Sequence, residues 1–126
     1  MKTETDVQNL TRLAVQAAGG VAWRNNRGAL PDERGIPVRF GLANDSSQLD
    51  RTFKTGDLVG MTPGGLFLML ECKAPGWKWR GTDREVAQWN AIKYVRERGG
   101  RAGFVTHPDE AVAVMLGTSG GAYSGG

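Results

Sequence analysis

The sequence predicts a single α/β domain in which a β-hairpin is flanked by helices. Three observations predict it. Leu58-Val59-Gly60-Met61 and the apolar run 66–70 are each of strand length, and Pro63-Gly64-Gly65 between them is strong turn punctuation. Two longer stretches, 3–18 and 82–98, carry helical spacing, with capping signals in front and a Gly-Gly stop behind. A third strand-like run, 101–106, follows the second of these helices and ends at His107-Pro108. A chain of 126 residues is long enough for one domain with a real core.

The first helix, 3–18, starts from Thr3, with Asp6 as a capping-box-like partner, and Gly19-Gly20 stops it. Val7, Leu10, Ala14 and Ala17 are its expected apolar stripe. Glu4, three residues before Val7, falls on that stripe and has two readings. It is either a first-turn acid favoured by the helix dipole or an acid turned toward an active site. Val21-Ala22-Trp23-Arg24 reads as a short strand, 25–29 as a polar loop and 31–35 as a turn. Val38-Arg39-Phe40 reads as another short strand, stopped by Gly41. The polar stretch 44–54 has no periodicity and is expected to be a long loop, either a binding or mobile segment or surface filler.

The register of the central hairpin is informative. With the turn centred on Gly64, Thr62 faces Leu66, Gly60 faces Leu68 and Asp57 faces Glu71. Directly opposed residues share a side of the sheet, about 5 Å apart. Period-two alternation adds Lys73 to that side and sends Cys72 to the other. Opposed like charges destabilise a hairpin unless something compensates; a divalent cation would, and so would the Lys73 ammonium. Hard oxygen donors suit Mg²⁺ or Mn²⁺ rather than zinc.

After the hairpin, Trp77-Lys78-Trp79-Arg80 interleaves aromatics with bases. Such a loop either stacks on nucleic-acid bases or anchors itself through a tryptophan. One of the two is expected to be an anchor, and the spacing does not say which. Thr82 and Glu85 form a capping box for the helix 82–98. Its stripe is Ala91, Ile92 and Val95 together with Gln88, an amide where a core-facing helix would place Leu. A buried Gln needs hydrogen bonds, to the carboxylates or to a loop carbonyl. His107 is expected at a strand end and not as a general base. Residues 108–116 read as a short closing helix. The Gly/Ser-rich stretch 117–126 is expected to be a flexible tail beyond a domain spanning 1–116.

Composition excludes several classes. No apolar run reaches 18 residues, so no membrane span is expected. The first ten residues lack the apolar stretch of a signal peptide. One cysteine leaves no internal disulfide and fits a reducing cytoplasm. One Cys and one His cannot build a zinc cage. The net charge is +3, but residues 72–101 hold eight Lys or Arg against three acids, while 57–71 hold two acids and no base. An acidic pair beside a basic segment suits a metal site under a polyanion; a helix with a solvated charged face explains the basic segment alone equally well.

Asp57, followed about a dozen residues on by Glu71-Cys72-Lys73 at the end of an apolar strand, resembles the PD-(D/E)xK nuclease signature. The order helix, strands, hairpin, helix, strand, helix resembles the restriction-endonuclease-like core. The finer likeness is to small stand-alone VRR-NUC domains, many of them phage-encoded, and it covers roughly residues 1–116. It is carried by Glu4, by Trp23-Arg24-Asn25-Asn26-Arg27-Gly28-Ala29 and Arg39-Phe40-Gly41-Leu42, by Gly56-Asp57-Leu58-Val59-Gly60, by Glu71-Cys72-Lys73 and by Gln88. Two departures stand out. The stretch 44–55 is longer than the Gly-Ser-type loop usual there, and Cys72 replaces an aliphatic residue.

The resemblance implies a mixed central sheet and Mg²⁺- (or Mn²⁺-) dependent hydrolysis of DNA phosphodiesters. It implies a homodimeric, structure-selective endonuclease that resolves Holliday junctions, in the cytoplasm of a bacterium or of a phage-infected host. Asp57, Glu71 and the backbone carbonyl of Cys72 would hold the metal. Lys73 would orient the attacking water and stabilise developing charge. Glu4 would support the metal's water shell, and Gln88 would position Lys73 or water. Arg24, Asn26 and Arg27, on a polar loop, would meet backbone phosphates. Two other readings remain: a non-catalytic nucleic-acid-binding module on the same fold, and a structural oligomer joined through Trp77 and Trp79.

Overall fold

A computed structural model describes residues 3–125. The elements in chain order are α1 (Glu4–Ala17), β1 (Val21–Arg24), β2 (Gly28–Pro31), β3 (Pro37–Phe40), α2 (Ser47–Thr52), β4 (Leu58–Met61), β5 (Phe67–Cys72), α3 (Asp83–Glu97), β6 (Arg101–Val105) and α4 (Pro108–Leu116). Four strands make a mixed sheet in the order β1-β4-β5-β6, with only the β5–β6 pair parallel. α1 and α4 pack on one face and α3 on the other, so the domain is a mixed α/β sandwich with flanking helices.

Period-two alternation along β5 divides the core. Leu68, Leu70 and Cys72 join Val7, Val15, Val114 and Met115 beneath α1 and α4. Met69 joins Ile92 and Phe104 beneath α3. The β4–β5 register is the one expected, with Leu58 opposite Leu70 and Gly60 opposite Leu68. The turn is tight: Gly65 N–H bonds Thr62 O (3.0 Å), Leu66 N–H bonds the Thr62 hydroxyl (3.0 Å), and Gly65 has φ of +89°, which glycine adopts without strain. Gly60 is required for a different reason, since a Cβ there would come within 1.8 Å of Val21 O on β1.

The capping boxes at Thr3 and Thr82 form as expected, and α1, α3 and α4 lie where the pattern placed them. The stripe of α1 does not. Val7, Thr11 and Val15 are buried, in place of Leu10, Ala14 and Ala17. The row of residues four apart is the packed ridge, and this shift leaves Glu4 exposed.

Three polar stretches also differ from expectation. Residues 28–31, read as loop and turn, pair with β3 as a separate two-stranded hairpin. The supposed loop 44–54 contains α2, capped by the Ser46 hydroxyl. Buried Asp50 ties α2 down through Lys54 (2.6 Å), Arg39 (3.3 Å) and Arg27 (3.5 Å), a charge network that hydropathy patterning cannot register. Within the Gly/Ser-rich stretch, residues 120–123 are packed against the domain rather than forming a free tail. Gly121 bridges Phe104 on β6, Arg96 donates to Gly120 O, and the Tyr123 ring stacks on Trp79 at 4.1 Å and 7°. Tyr123→Ala is therefore expected to lower unfolding stability by about 2 kcal/mol, read from urea melts. An unchanged midpoint would mean that the stack holds nothing.

Candidate active site

The end of β5 brings the predicted residues together. Glu71 is 3% exposed, Gln88 1% and Lys73 9%. Lys73 Nζ donates to Gln88 Oε1 (3.0 Å), and Gln88 Nε2 donates to Glu71 Oε1 (2.9 Å). The amide thus bridges cation and carboxylate, whose own separation is 3.8 Å. Of the two readings of Gln88, the carboxylate cluster holds. Lysine has no acceptor, so the amide oxygen must face it and the amide NH₂ must face the acid. The ammonium also lies 5.5 Å from the Trp77 ring centre and 5.9 Å from that of Phe104, faces that attract a cation.

Trp77 and Trp79 are both anchors. Trp77 packs on Phe104 (4.9 Å) and donates its indole N–H to Glu85 (2.9 Å), the capping residue of α3. The helix carrying Gln88 and the ring beneath Lys73 are therefore fixed by one carboxylate.

Asp57 stands just before β4, and its Oδ2 accepts the Cys72 N–H (2.9 Å). Burial, and then the Asp57 charge, push the Glu71 pKa up to about 8, although Lys73, Arg27 and Arg84 pull it down. Glu71 Oε2 is buried without a hydrogen-bond partner among the described residues. Two neighbouring carboxylates, one with an orphaned oxygen, fit a hard divalent cation, which takes one or two carboxylates and keeps several waters. Among the described residues no three His, Cys, Asp or Glu side chains converge, so Glu4 does not complete a three-acid cluster. The Cys72 side chain is no ligand. Burial, followed by the Asp57, Glu71 and Glu4 charges, raises its pKa well above that of an ordinary thiol.

Asp57 opens onto a cleft of about 410 Å³ lined also by Arg24, Asn26, Arg27, Phe40 and Arg84. Asn26 and Arg24 are exposed, and Arg24 is steadied by Asn9 Oδ1 (2.8 Å). Arg27 is half-turned toward Asp50. Sequence reasoning missed two residues here. Arg84 lies four residues before Gln88, hence on the same helical face, and a cation in a helix's first turn opposes the dipole; both facts were readable. Asn25 is a clamp. Its amide bonds Thr55 Oγ1 (2.8 Å), Gly56 O (2.9 Å) and the Leu42 N–H (3.2 Å), and its backbone N–H bonds Asp57 O (2.8 Å).

A second cavity, about 440 Å³ and mostly apolar, lies between the β4–β5 turn and the end of α3. Among the described residues its lining includes no acid. No protein-family model matches the chain, and no characterised protein or solved structure matches it. No helix among the described residues is long and apolar enough to cross a membrane.

Proposed function

We propose that this chain is a metal-dependent DNA endonuclease on a restriction-endonuclease-like core, of the stand-alone VRR-NUC kind, acting on branched DNA as a homodimer. The observation that carries this reading is the buried Lys73–Gln88–Glu71 chain, with Asp57 beside Glu71 at the mouth of an arginine-lined cleft. Asp57 and Glu71, with the Cys72 carbonyl, would hold Mg²⁺ or Mn²⁺. When bound, the ion supplies charge neutralisation at the phosphate and a more acidic water.

The chain's own residues do the rest. Lys73, with its ammonium fixed by the amide and two aromatic faces, is preorganised to donate to an oxygen that gains charge in the transition state. Gln88 keeps Lys73 and Glu71 at a set spacing. Arg24, Asn26, Arg27 and Arg84 hold the strand by its phosphates, which makes binding fall steeply with salt. Glu4, exposed at the first turn of α1, is assigned to the water shell. A two-fold dimer would present two such clefts to two strands.

The test is cleavage of an immobile four-way junction, a flap and a linear duplex with and without Mg²⁺ or Mn²⁺. Paired, metal-dependent cuts in the junction are expected. Cutting of flaps alone would keep the nuclease and remove the junction preference. Binding without any cutting would leave a non-catalytic DNA-binding module.

A further inference from the structure

The β2–β3 hairpin stands outside the four-stranded sheet and has two unlike faces. On one, Ala29 opposes Arg39, and Arg39 turns to Asn44 Oδ1 (2.7 Å) and Asp50 (3.3 Å). On the other, Leu30 opposes Val38 and Gly28 opposes Phe40. Leu30 is 65% exposed, Val38 53% and Phe40 39%. The Phe40 ring lies over Gly28, where a Cβ would come within 2.9 Å of it. The same ring walls the cleft at Asp57, so the apolar face continues the cleft outward.

The hairpin is also stiff. Asp32 Oδ1 accepts the N–H groups of Arg34 (2.8 Å) and Ile36 (2.9 Å), and Asp32 N–H bonds Ile36 O (2.8 Å). Pro31 opposes Pro37 next to this turn. Both lack an N–H, which makes the hairpin's edges poor templates for another strand.

We propose that the face made by Leu30, Val38 and Phe40 receives unstacked DNA bases beside the phosphate held by the arginines of the Asp57 cleft, and so selects DNA with unpaired bases next to the cut. This rests on the nuclease reading above. A single strand has an anionic edge and a run of π-faces, and protein sites for it pair a cationic track with apolar platforms. Here Arg24, Arg27 and Arg84 supply the track and the hairpin supplies the platform. The tip carries Asp32 and Glu33 against Arg34, a net charge of −1, so phosphates are better met by the arginines of the cleft and the apolar face is left to bases. A closed duplex hides its base faces in the stack and cannot use this surface without unstacking.

The test is metal-free binding, in EDTA, to a forked DNA with 2-aminopurine beside the branch and to a paired duplex of equal length. Wild type is compared with Phe40→Ala and with Leu30→Ser/Val38→Ser. The latter alters largely exposed atoms and leaves the fold intact, which thermal melts check. Wild type is expected to change the 2-aminopurine emission, which reports the stacking of that base. Each variant is expected to lose that change and about tenfold in fork affinity, with duplex affinity unchanged. Leu13→Ser, at a similarly exposed leucine of α1 (67%), is expected to change neither.

Equal losses on fork and duplex, or none on either, overturn the proposal. So does a fall from dimer to monomer in the double variant with fork binding intact, which would give the face to a second copy of the chain. Fork-selective binding by wild type without any Mg²⁺-dependent cut would overturn the nuclease reading while the face still takes bases. Cutting with unaltered substrate choice in the variants would overturn the hairpin's role alone.

Discussion

Lys73→Ala is expected to lower the single-turnover rate of metal-dependent DNA cleavage by about 10²–10³-fold, the usual loss when one preorganised donor to a developing anion is removed. The geometry gives the reason. Lys73 is 9% exposed and held by Gln88 Oε1, so it has little freedom to rearrange when the reaction builds charge. Being buried, it is not a surface phosphate contact, and DNA affinity should stay within about threefold of wild type, unlike that of a variant losing a phosphate contact. Lys73→Met is the companion variant. It keeps an apolar stem between Trp77 and Phe104, so a loss of cleavage with an unchanged melt isolates the ammonium. Cleavage near the wild-type rate in either variant would remove Lys73 from the chemistry.

The second large effect is a pH dependence of metal-free stability. Glu71 has a pKa of about 8 in the folded chain against an ordinary 4.5. Its folded-state pKa is raised, so its contribution is fully present below about pH 4.5 and is lost as the pH rises through about 8. Across that window the unfolded chain gives up the Glu71 proton and the folded chain keeps it. The slope approaches 1.4 kcal/mol per pH unit, on the order of 5 kcal/mol in all.

Glu71→Gln, which cannot ionise, should flatten that slope and be the more stable protein at pH 8.5. Mg²⁺ should raise the wild-type melting temperature more at pH 8.5 than at pH 6, because it binds the ionised form. The variant should show no such shift. An equal pH slope in wild type and Glu71→Gln would mean that Glu71 does not carry the effect. No Mg²⁺ shift at pH 8.5 would count against metal at the carboxylate pair.

The parts of this architecture that were readable in the sequence are those governed by local rules. Thr3 and Thr82 announce their helices because a capping box is a contact between residues three apart. The placing of Asp57 beside Glu71 follows from turn length, since a tight turn fixes the strand register, and that register runs as far as Leu58 opposite Leu70, one residue short of the acids. Gln88 stood out as a polar residue in an apolar stripe, although its partners could not be chosen without coordinates.

What was not readable depended on contacts between residues distant in sequence. α2 exists as a helix tied down by Asp50 to Arg27 and Arg39, 23 and 11 residues away. Tyr123 is placed by Trp79 and Trp89, aromatics that a Gly/Ser-rich composition conceals. Arg84 was readable by its spacing to Gln88 and was passed over because the helix's basic residues looked like a solvated face.

The two-sided pairing of β5 also sets the order in which the molecule assembles. Asp57 and Glu71 lie 14 residues apart and meet through a three-residue turn, the kind of local closure that takes about 1–10 μs. The parallel β5–β6 joint, by contrast, must wait for some thirty residues and α3 to fall into place. The acids are thus neighbours before the Gln88 amide has arrived, and in the nascent hairpin only the Lys73 ammonium, two residues from Glu71, offsets their like charge. In pulsed hydrogen exchange during refolding, amides of the β4–β5 pair should gain protection before the Lys73 amide, whose acceptor is Val105 O (2.8 Å). Acidic refolding buffer, which protonates Glu71 and removes one of the two like charges, should speed that first phase.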